Sequence, residues 1–441
     1  MGSGFRTFQS GEVLTASNVQ NYLMEQSVMT FAGTAALGSA IGTAVEPGMV
    51  AYLTDSDQII HYRADAVQGT AWQAMPMVGG AANVVINGAM QVAQRGTSTA
   101  SITTTGYYTA DRYKLAMSSL GTFTQSVEND GPTGSGFRKS LKMLCTTADA
   151  SPAAGDYAVL EQIIEGQNLQ QFLKGTSAAK GFVLTFWVKA SATGTYVVEL
   201  NDTDNGRHTS KSYSVSVADT WEKKTISYSA DTTGAFANDN GSSLEVNFWL
   251  GAGSTFTSGT LAQTWASYSA SNVCPGQTNV AGATNRYWQI TGIQLEAGSV
   301  ATPFEFEAID ETLRKCQRYY EKSYDQSANP GQANDLGNGF YANVSNTLAG
   351  STAGNVGGCG NIPLKVTKRA APTIVSYDYD GTANALRVGS PTKDAKKAGV
   401  TSFANIRDTG AFQFISFDNT SATAIATGDN FSFHWTASAE L

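Results

Sequence analysis

One short segment carries the oxygen ligands that a calcium ion prefers. NDTDNG (201–206) alternates amide, carboxylate and hydroxyl oxygens over a tight turn, and hard oxygens of this kind bind Ca²⁺. The segment lacks the downstream bidentate Glu of an EF-hand loop. A hairpin turn between strands at 196–200 and 207–217 uses the same residue types. The pattern therefore predicts a turn, with a structural calcium ion on Asp202 and Asp204 as the alternative and no other cofactor.

The sequence offers no set of residues that would make an active site. None of the three histidines, His61, His208 and His434, has metal-ligand spacing with a second His or Cys. There is no G-x-S-x-G elbow and no phosphate-binding glycine loop. Glu161 and Glu165 stand one helical turn apart, whereas glycosidase carboxylates usually come from different elements across a cleft. We interpret them as a solvated pair and predict that the chain is not an enzyme.

Aromatic residues suggest a binding chemistry instead, because flat ring faces stack on sugars while amides and carboxylates bind the hydroxyls. Trp265, Tyr268 and Asn272 lie in a Ser/Ala-rich stretch that is typical of a loop. Trp249 shares the outward face of its strand with Asn247. The alternative is that these rings pack against another module or a partner chain. We name Trp265, Tyr268, Asn272 and Trp249 as candidate carbohydrate-binding residues.

Alternating apolar residues predict the strands that would position these side chains. Phe182, Leu184, Phe186 and Val188 share one face, and so do Leu244, Val246, Phe248 and Leu250. Further strands are predicted at 196–200, 221–228, 373–377, 411–417 and 430–437. Many short strands with Gly, Asn and Asp turns favour an antiparallel sandwich. This periodicity does not distinguish a jelly roll from an immunoglobulin-like topology.

The segment 285–324 joins two β-rich regions. Its bulky residues change sides at Gly292, which predicts a β-bulge, and Pro303 then redirects the chain. Helical spacing predicts one buried apolar stripe, formed by Ile309, Leu313, Cys316 and Tyr320. Opposite charges four residues apart predict ion pairs from Asp310 to Arg314 and from Glu311 to Lys315.

The first 80 residues are predicted to form a small separate module. Thr15 is the expected N-cap of a short helix, and the Ala/Gly-rich stretch 30–45 is expected to be a flexible linker. A hairpin is predicted from 49–53 and 58–62. A module of this size buries little core alone, so we expect it to pack against neighbouring chains.

Bulk composition excludes several partners. The net charge of −8 argues against nucleic acid, because phosphate binding depends on clustered Lys and Arg. No stretch approaches the roughly 20 apolar residues of a membrane span, and we identify no signal peptide. The four cysteines are scattered without a CxxC pair, which fits reduced thiols and assembly in a reducing cytoplasm.

Several blocks of the sequence resemble tail-fibre and related virion proteins of tailed bacteriophages. The blocks are GFRTFQSGEVLTASNVQNYLMEQSVM (4–29), EPGMVAYLTDSDQIIHY (46–62), NVVINGAMQVAQRG (83–96), YTADRY (108–113), LEQIIEGQNLQQF (160–172), TFWVKAS (185–191), ITGIQLEAGSVATPFE (290–305), CQRYYEKS (316–323) and WTASAEL (435–441). Ala93 stands where many of those proteins have an aromatic residue. The resemblance implies a jelly roll similar to carbohydrate-binding modules, a class that often holds a structural calcium ion.

The combined prediction is a mainly β protein in four parts. It comprises an α+β attachment and oligomerisation module (1–80), a carbohydrate-binding-like jelly roll (81–308), a connecting helix (309–324) and a C-terminal β-sandwich module (325–441). The resemblance implies a homotrimeric tail-fibre or spike subunit in the virion. Its expected partners are itself, other tail proteins through the N-terminal module and host-surface glycan, without membrane insertion. The alternatives are a capsid or tail decoration protein and, less favoured, a polysaccharide depolymerase.

Overall fold

The computed structural model separates the chain into two compact units, 1–80 and 81–441. The structure describes residues 11, 13, 15–19, 28–42, 45–55, 58–65, 69–75, 83–333, 340–343, 346–347, 356–357, 362–390, 393–398, 400–404, 407–408, 411–417 and 430–441. Among these residues, no helix combines the length and the apolar character that crossing a membrane requires.

The first unit contains two short helices and a four-stranded sheet. The elements are α1 (Ala16–Val19), β1 (Met29–Phe31), α2 (Thr34–Ile41), β2 (Val50–Leu53), β3 (Gln58–Asp65) and β4 (Gly69–Ala74). The predicted N-cap is confirmed, because the hydroxyl of Thr15 accepts a hydrogen bond from the Asn18 amide at 3.1 Å. The predicted hairpin is also confirmed, since β2 pairs antiparallel with β3.

The predicted flexible linker at 30–45 is wrong. It contains the end of β1 and all of α2, and the α2 residue Leu37 is buried. Leu37 packs in one small core with Leu53 and Ile60. Ile41, at the end of α2, is partly buried against the same core, so two large apolar side chains dock this helix.

The second unit begins with a sandwich of two antiparallel sheets. Its strands are β5 (Ser98–Ile102), β6 (Gly106–Tyr107), β7 (Lys114–Ser118), β8 (Thr122–Glu128), β9 (Ser140–Thr147), β10 (Tyr157–Glu165), β11 (Phe182–Ala190), β12 (Gly194–Asp202), β13 (Arg207–Val215), β14 (Glu222–Tyr228), β15 (Ser242–Ala252), β16 (Ala266–Ser267) and β17 (Tyr287–Ala297). One sheet has the order β16-β13-β12-β15-β10-β7-β6, and the other has the order β14-β11-β17-β9-β8-β5. The prediction of a mainly β protein with a central antiparallel sandwich is confirmed.

The main core lies between the two sheets. The alternating residues predicted to face inward in β11 and β15 are all buried in it. Phe186 and Phe248 meet edge to face across the two sheets, with ring centroids 5.2 Å apart. The fully buried Trp288 donates its indole N–H to the Tyr213 hydroxyl at 3.1 Å, so its one polar atom is satisfied.

The predicted bulge at Gly292 is confirmed. Gly292 and Ile293 in β17 oppose the single residue Phe186 in β11, and Gly292 has φ of 65°. A Cβ atom on Gly292 would lie 2.6 Å from the Phe137 ring. Both the backbone angle and the close packing therefore require glycine here.

The helix after the sandwich is shorter than predicted and buries only part of the predicted stripe. Helix α4 (Ile309–Gln317) follows the short α3 (Ser254–Thr257), and it buries Thr312, Cys316 and Gln317. Ile309 is 57% exposed, and Tyr320 belongs to the next strand rather than to the helix. Of the predicted stripe, Cys316 is buried but Ile309 is not, and the helix predicted for 309–324 ends at Gln317.

The predicted i,i+4 ion pairs are also wrong. Glu311 pairs with Arg314 at 2.8 Å, three residues away. Lys315 pairs with Glu307, which precedes the helix. Both pairs lie at the protein surface, where such contacts contribute little stability.

The rest of the second unit is a C-terminal β-rich region. Its strands are β18 (Tyr320–Lys322), β19 (Phe340–Asn343), β20 (Asn346–Thr347), β21 (Val356–Gly357), β22 (Ile362–Pro363), β23 (Thr373–Tyr377), β24 (Ala385–Ser390), β25 (Lys393–Ala398), β26 (Val400–Ala404), β27 (Ala411–Phe417) and β28 (Asn430–Ser438). The three strands predicted in this region are confirmed. The division of residues 81–441 into three parts stays a prediction.

Strand β28 is central in this region and pairs with β18, β19, β23 and β24. Both faces of β28 are covered, because Ser432, His434 and Thr436 are buried as well as Phe433 and Trp435. The His434 ring stacks on Tyr324 with centroids 4.1 Å apart.

Candidate functional site

The predicted turn at 201–206 is confirmed as the hairpin connection between β12 and β13, where Asp202 pairs with Arg207. Asp202 and Asp204 have separate partners. Asp204 accepts a hydrogen bond from the Ala237 amide at 2.8 Å, while Asp202 is buried and forms an ion pair with Lys174 at 2.6 Å. Within the described residues, no group of three or more His, Cys, Asp or Glu side chains could hold a metal ion.

A buried ammonium group lies where the calcium alternative placed a metal ion. Lys174 is fully buried, and its Nζ contacts oxygen atoms of Asp202 (2.6 Å), Asp231 (3.1 Å), Thr233 (3.0 Å) and Gly234 (2.8 Å). Burial alone would raise the pKa of Asp231, but hydrogen bonds from Arg207 and Lys174 outweigh it and lower that pKa. The negative charge of Asp202 is compensated by Lys174, a cation of the chain itself.

The two predicted tryptophans do not present their rings to solvent. Trp265 is only 9% exposed, packs against Phe182 in the main core and donates its indole N–H to the Ser229 carbonyl at 3.0 Å. Trp249 lies on the outward face of its sheet, as predicted, but it is 5% exposed. Phe256, from the segment that follows β15, covers the Trp249 ring.

The other two predicted residues keep more contact with solvent. Tyr268 is 46% exposed, and its ring lies 5.2 Å from that of His208. Asn272 accepts a hydrogen bond from the Thr260 amide at 3.0 Å. The structure thus leaves Tyr268 as the one predicted aromatic residue able to stack on a ligand, and its role in carbohydrate binding stays a prediction.

A line of polar side chains crosses the seven-stranded sheet. We call it the polar row, and it consists of Ser210, Glu199, Asn247, Glu161, Lys114 and Tyr107, one from each of β13, β12, β15, β10, β7 and β6. Directly opposed residues of antiparallel strands point to the same face. Their chain neighbours Leu115, Leu160 and Val246 are in the main core, so the polar row faces outward.

Glu199 is the most heavily bonded member of the polar row. Its carboxylate contacts His208 Nδ1 at 2.9 Å and accepts hydrogen bonds from Asn247 at 3.3 Å and Trp249 at 3.2 Å. Lys114 forms an ion pair with Glu161 at 2.7 Å. Two positions further along the same strands, Asn201 of β12 donates a hydrogen bond to the opposed Glu245 of β15 at 2.8 Å.

Three polar atoms in and beside this row remain unsatisfied. The Oδ1 of Asn247, the Nε2 of His208 and the Oγ of Ser210 have no hydrogen-bond partner in the described structure. Asn247 is only 5% exposed, and the other two residues are fully buried. Unpaired buried polar atoms are costly, so they indicate positions where water or a ligand group completes the bonding.

The carboxylates of this face influence one another electrostatically. Burial raises the pKa of Glu161, Lys114 lowers it, and the negative charges of Glu245 and Glu199 raise it further, for a net increase. Burial and the same two carboxylates raise the pKa of Tyr268 to about 12. The carboxylates therefore give the polar row a negative electrostatic environment, and Tyr268 lies beside it.

Sequence patterns pointed to only part of this site. The prediction that Glu161 and Glu165 form a solvated pair is wrong, because both lie in β10, both are buried and each has its own cation. Glu161 pairs with Lys114, and Glu165 pairs with Arg318 at 2.7 Å. A polar residue between two apolar ones, as at Glu199, was the available signal, but it does not reveal which strands are neighbours.

One end of the polar row meets a second cluster. We call it the junction cluster, and it consists of Gln94, Arg95, Asp111, Arg112, Tyr319, Tyr320 and Glu440. Tyr107 connects the two, since the Arg95 guanidinium lies over its ring, 5.3 Å from the ring centre. The junction cluster is built from four of the sequence blocks that resemble phage fibre proteins.

The fold and the polar row define a β-sandwich protein with a polar band across one sheet. No protein-family model matches the chain, and no curated protein matches it in sequence. Solved structures similar to part of it include the enzymatically active domain of bacteriophage CBA120 tailspike protein 4. That match has 16% identity and a TM-score of 0.26, and it covers 49% of this chain and 21% of the tailspike chain.

Two carbohydrate-binding modules are similar to a comparable part of the chain. TmCBM61, solved with β-1,4-galactotriose, has 8% identity, a TM-score of 0.26 and coverage of 49% and 99% of the two chains. The family 11 module from Clostridium thermocellum, solved with a mixed-linked tetrasaccharide, has 9% identity, a TM-score of 0.24 and coverage of 47% and 98%. TM-scores below 0.5 are too low to transfer a function from any of these proteins.

Proposed function

We propose that this chain is a structural subunit of a phage tail fibre or spike. In this proposal it binds host-surface glycan weakly at the Tyr268 ring, beside the polar row, and does not cleave it. The observation that carries the binding role is the half-exposed ring of Tyr268, since four of the six polar-row residues are buried. The resemblance of the sequence blocks to fibre proteins supports the place in the virion.

A glycan can reach only part of this face. Of the polar row, Tyr107 and Lys114 are partly exposed, while Ser210, Glu199, Asn247 and Glu161 are buried. The half-exposed ring of Tyr268 offers a flat apolar face beside these groups.

Weak binding at one site becomes useful adhesion when several copies act together. We propose a homotrimer in which the first unit, residues 1–80, attaches the subunit to other tail proteins. Three linked sites raise the overall avidity without any new contact, provided that one surface can engage all three. A deep pocket is therefore unnecessary for attachment.

Replacing Tyr268 with Ala should weaken glycan binding about tenfold, equivalent to ~1.4 kcal/mol, because a stacking surface is lost. The measurement is titration of the purified full chain against host-surface oligosaccharides first identified on a glycan array. The matched control is Phe306→Ala, which removes another exposed ring. Phe306 contacts Phe137 in the β8–β9 connection, so this variant should bind like the unmodified protein.

Two results would contradict this proposal. Equal binding by Tyr268→Ala and Phe306→Ala would remove the Tyr268 ring as the glycan contact. Release of shorter oligosaccharides during incubation would show catalysis and favour the depolymerase alternative.

The place in the virion has its own test. Antibody fragments against the sandwich, imaged on intact particles by electron microscopy, should label the distal part of the tail in groups of three. Labelling spread over the capsid would instead support the decoration protein. Labelling that is absent from particles would overturn the virion assignment.

A further inference from the structure

We infer that a cavity at the edge of the sandwich binds an arginine side chain presented by another protein chain. This inference concerns an interaction surface and does not rest on the proposed glycan contact at Tyr268. It follows from a cavity that is open to solvent, from the exposed apolar side chains that line it and from a carboxylate that has no cation.

The cavity has a volume of about 190 Å³ and lies entirely within the second unit. Two stretches form most of its wall, residues 83–91, which precede β5, and residues 304–312, which include the start of α4. Phe306 and Ile309 line it and are 58% and 57% exposed, so the cavity is open to solvent. Sites that hold whole small ligands measure roughly 300–1,000 Å³, so this smaller cavity suits one inserted side chain.

Three phenylalanine rings pack together at the cavity. Phe304 and Phe306 line it and meet edge to face with ring centroids 4.9 Å apart, and both contact Phe137. Gly136 also lines the cavity, and a Cβ atom on it would lie 3.0 Å from the Phe306 ring. This packing holds Phe306 in place while more than half of it stays in solvent, where a planar cation can stack on the ring.

One carboxylate of the cavity has no cation to compensate it. Glu305 and Glu307 both line the cavity, but Glu307 pairs with Lys315. Glu305 is partly buried, and within the described residues its carboxylate accepts a single hydrogen bond, from the Asn83 amide at 3.3 Å. A partner that covered Glu305 with an apolar or acidic group would leave this charge desolvated and unpaired, which is costly.

An arginine side chain satisfies both features of the cavity. Its guanidinium can pair with Glu305 and stack on Phe306, while its apolar stem contacts Ile309. Lysine can form the ion pair, but its compact ammonium is more strongly hydrated and has no planar face. The exposed Phe306 and Ile309 favour a protein partner over a free small molecule, because a protein surface would cover them together with the cavity.

The experiment titrates the full chain with three capped tripeptides, followed by saturation-transfer NMR of the peptide signals. The tripeptides carry arginine, lysine or citrulline between two glycines, and citrulline has nearly the shape of arginine without its charge. The arginine peptide should bind at least about tenfold more tightly than the citrulline peptide, a difference of ~1.4 kcal/mol, and more tightly than the lysine peptide. Raising the salt concentration should narrow the ratio of arginine to citrulline, because that preference is electrostatic.

Matched variants locate the arginine at this cavity. Glu305→Gln keeps an oxygen for the Asn83 amide but removes the charge, so the arginine peptide should then bind no more tightly than the citrulline peptide. Phe306→Ala should remove the preference for arginine over lysine, because the stacking face is lost. The control Glu311→Gln removes an exposed carboxylate of α4 that does not line the cavity, and it should leave both preferences unchanged.

Several results would overturn the inference. They are equal binding of the arginine and citrulline peptides, binding of none of the three peptides, and an arginine preference that persists in Glu305→Gln. If Glu305→Gln fails to fold, Phe306→Ala still decides, because an unchanged preference for arginine over lysine would exclude this cavity. None of these results changes the glycan titration of Tyr268→Ala, so failure of this inference is distinguishable from failure of the proposed function.

Discussion

Replacing Lys174 with Met is expected to lower the free energy of unfolding by about 3–5 kcal/mol, one of the two largest effects predicted for this chain. Lys174 is fully buried, and its ammonium bridges the carboxylates of Asp202 and Asp231. Met retains most of the apolar stem but removes the charge. Two carboxylates then remain in a site that was built around a cation.

The size of this effect follows from the two carboxylates that remain without Lys174, rather than from the loss of the ion pair alone. A buried ion pair contributes little net stability compared with well-packed apolar residues, because desolvating both charges is costly. Removing one partner leaves the desolvation cost of the other uncompensated. Here Asp231 keeps Arg207 as a partner at 2.8 Å, whereas Asp202 keeps only neutral donors from Asn205.

The measurement is equilibrium urea unfolding of the full chain, with Lys180→Met as the control because Lys180 is exposed. The control should unfold at the same urea concentration as the unmodified protein. A Lys174→Met midpoint within error of the control would contradict the account of the ammonium as the required cation. Recovery of stability on adding Ca²⁺ would show that these carboxylates form a general cation site.

Acid titration provides a second readout of the same cluster. Because the pKa of Asp231 is lowered in the folded protein, its contribution to stability is complete above its ordinary pKa. That contribution is lost as the pH falls through the lowered value. In Lys174→Met one of the groups that lower this pKa is gone, so the acid-side loss of stability should be smaller and should be complete at a higher pH.

The strands and the bulge were predictable because their signals are local. Phe182, Leu184 and Phe186 alternate along one strand, and this period of two residues survives in any sandwich. Gly292 marks the parity change within its own strand. Neither inference needs to know which strands become neighbours.

The site was not predictable in the same way because it depends on register between distant strands. Glu161, Asn247 and Glu199 become adjacent only when β10, β15 and β12 pair in this order. Trp265 was predicted as a carbohydrate-binding residue, but its ring lies in the core. The loop-like composition around it does not reveal that insertion. Lys174 is likewise separated from Asp202 by a whole strand, so the turn alone suggested a metal ion.

The junction cluster carries the other large effect. Replacing Glu440 with Gln is expected to lower the free energy of unfolding by about 3 kcal/mol, because it leaves a buried arginine without its anion. Arg112 is almost completely buried, pairs with the Glu440 carboxylate and has its guanidinium 3.4 Å from the centre of the Tyr319 ring. Burial alone would lower the pKa of Arg112, but Glu440 and Tyr319 keep it above its ordinary value.

A double-mutant cycle separates this pair from general damage to the fold. Arg112→Met alone leaves the Glu440 carboxylate without one of its two cations, although Arg95 still lies 3.1 Å from it. The double variant removes both charges, so it should be clearly more stable than the sum of the two single losses predicts. The control is Glu311→Gln, which breaks an exposed pair and should leave the unfolding midpoint unchanged. Additive losses in the cycle would mean that Arg112 and Glu440 stabilise the protein independently, and that the four sequence blocks meet there without depending on one another.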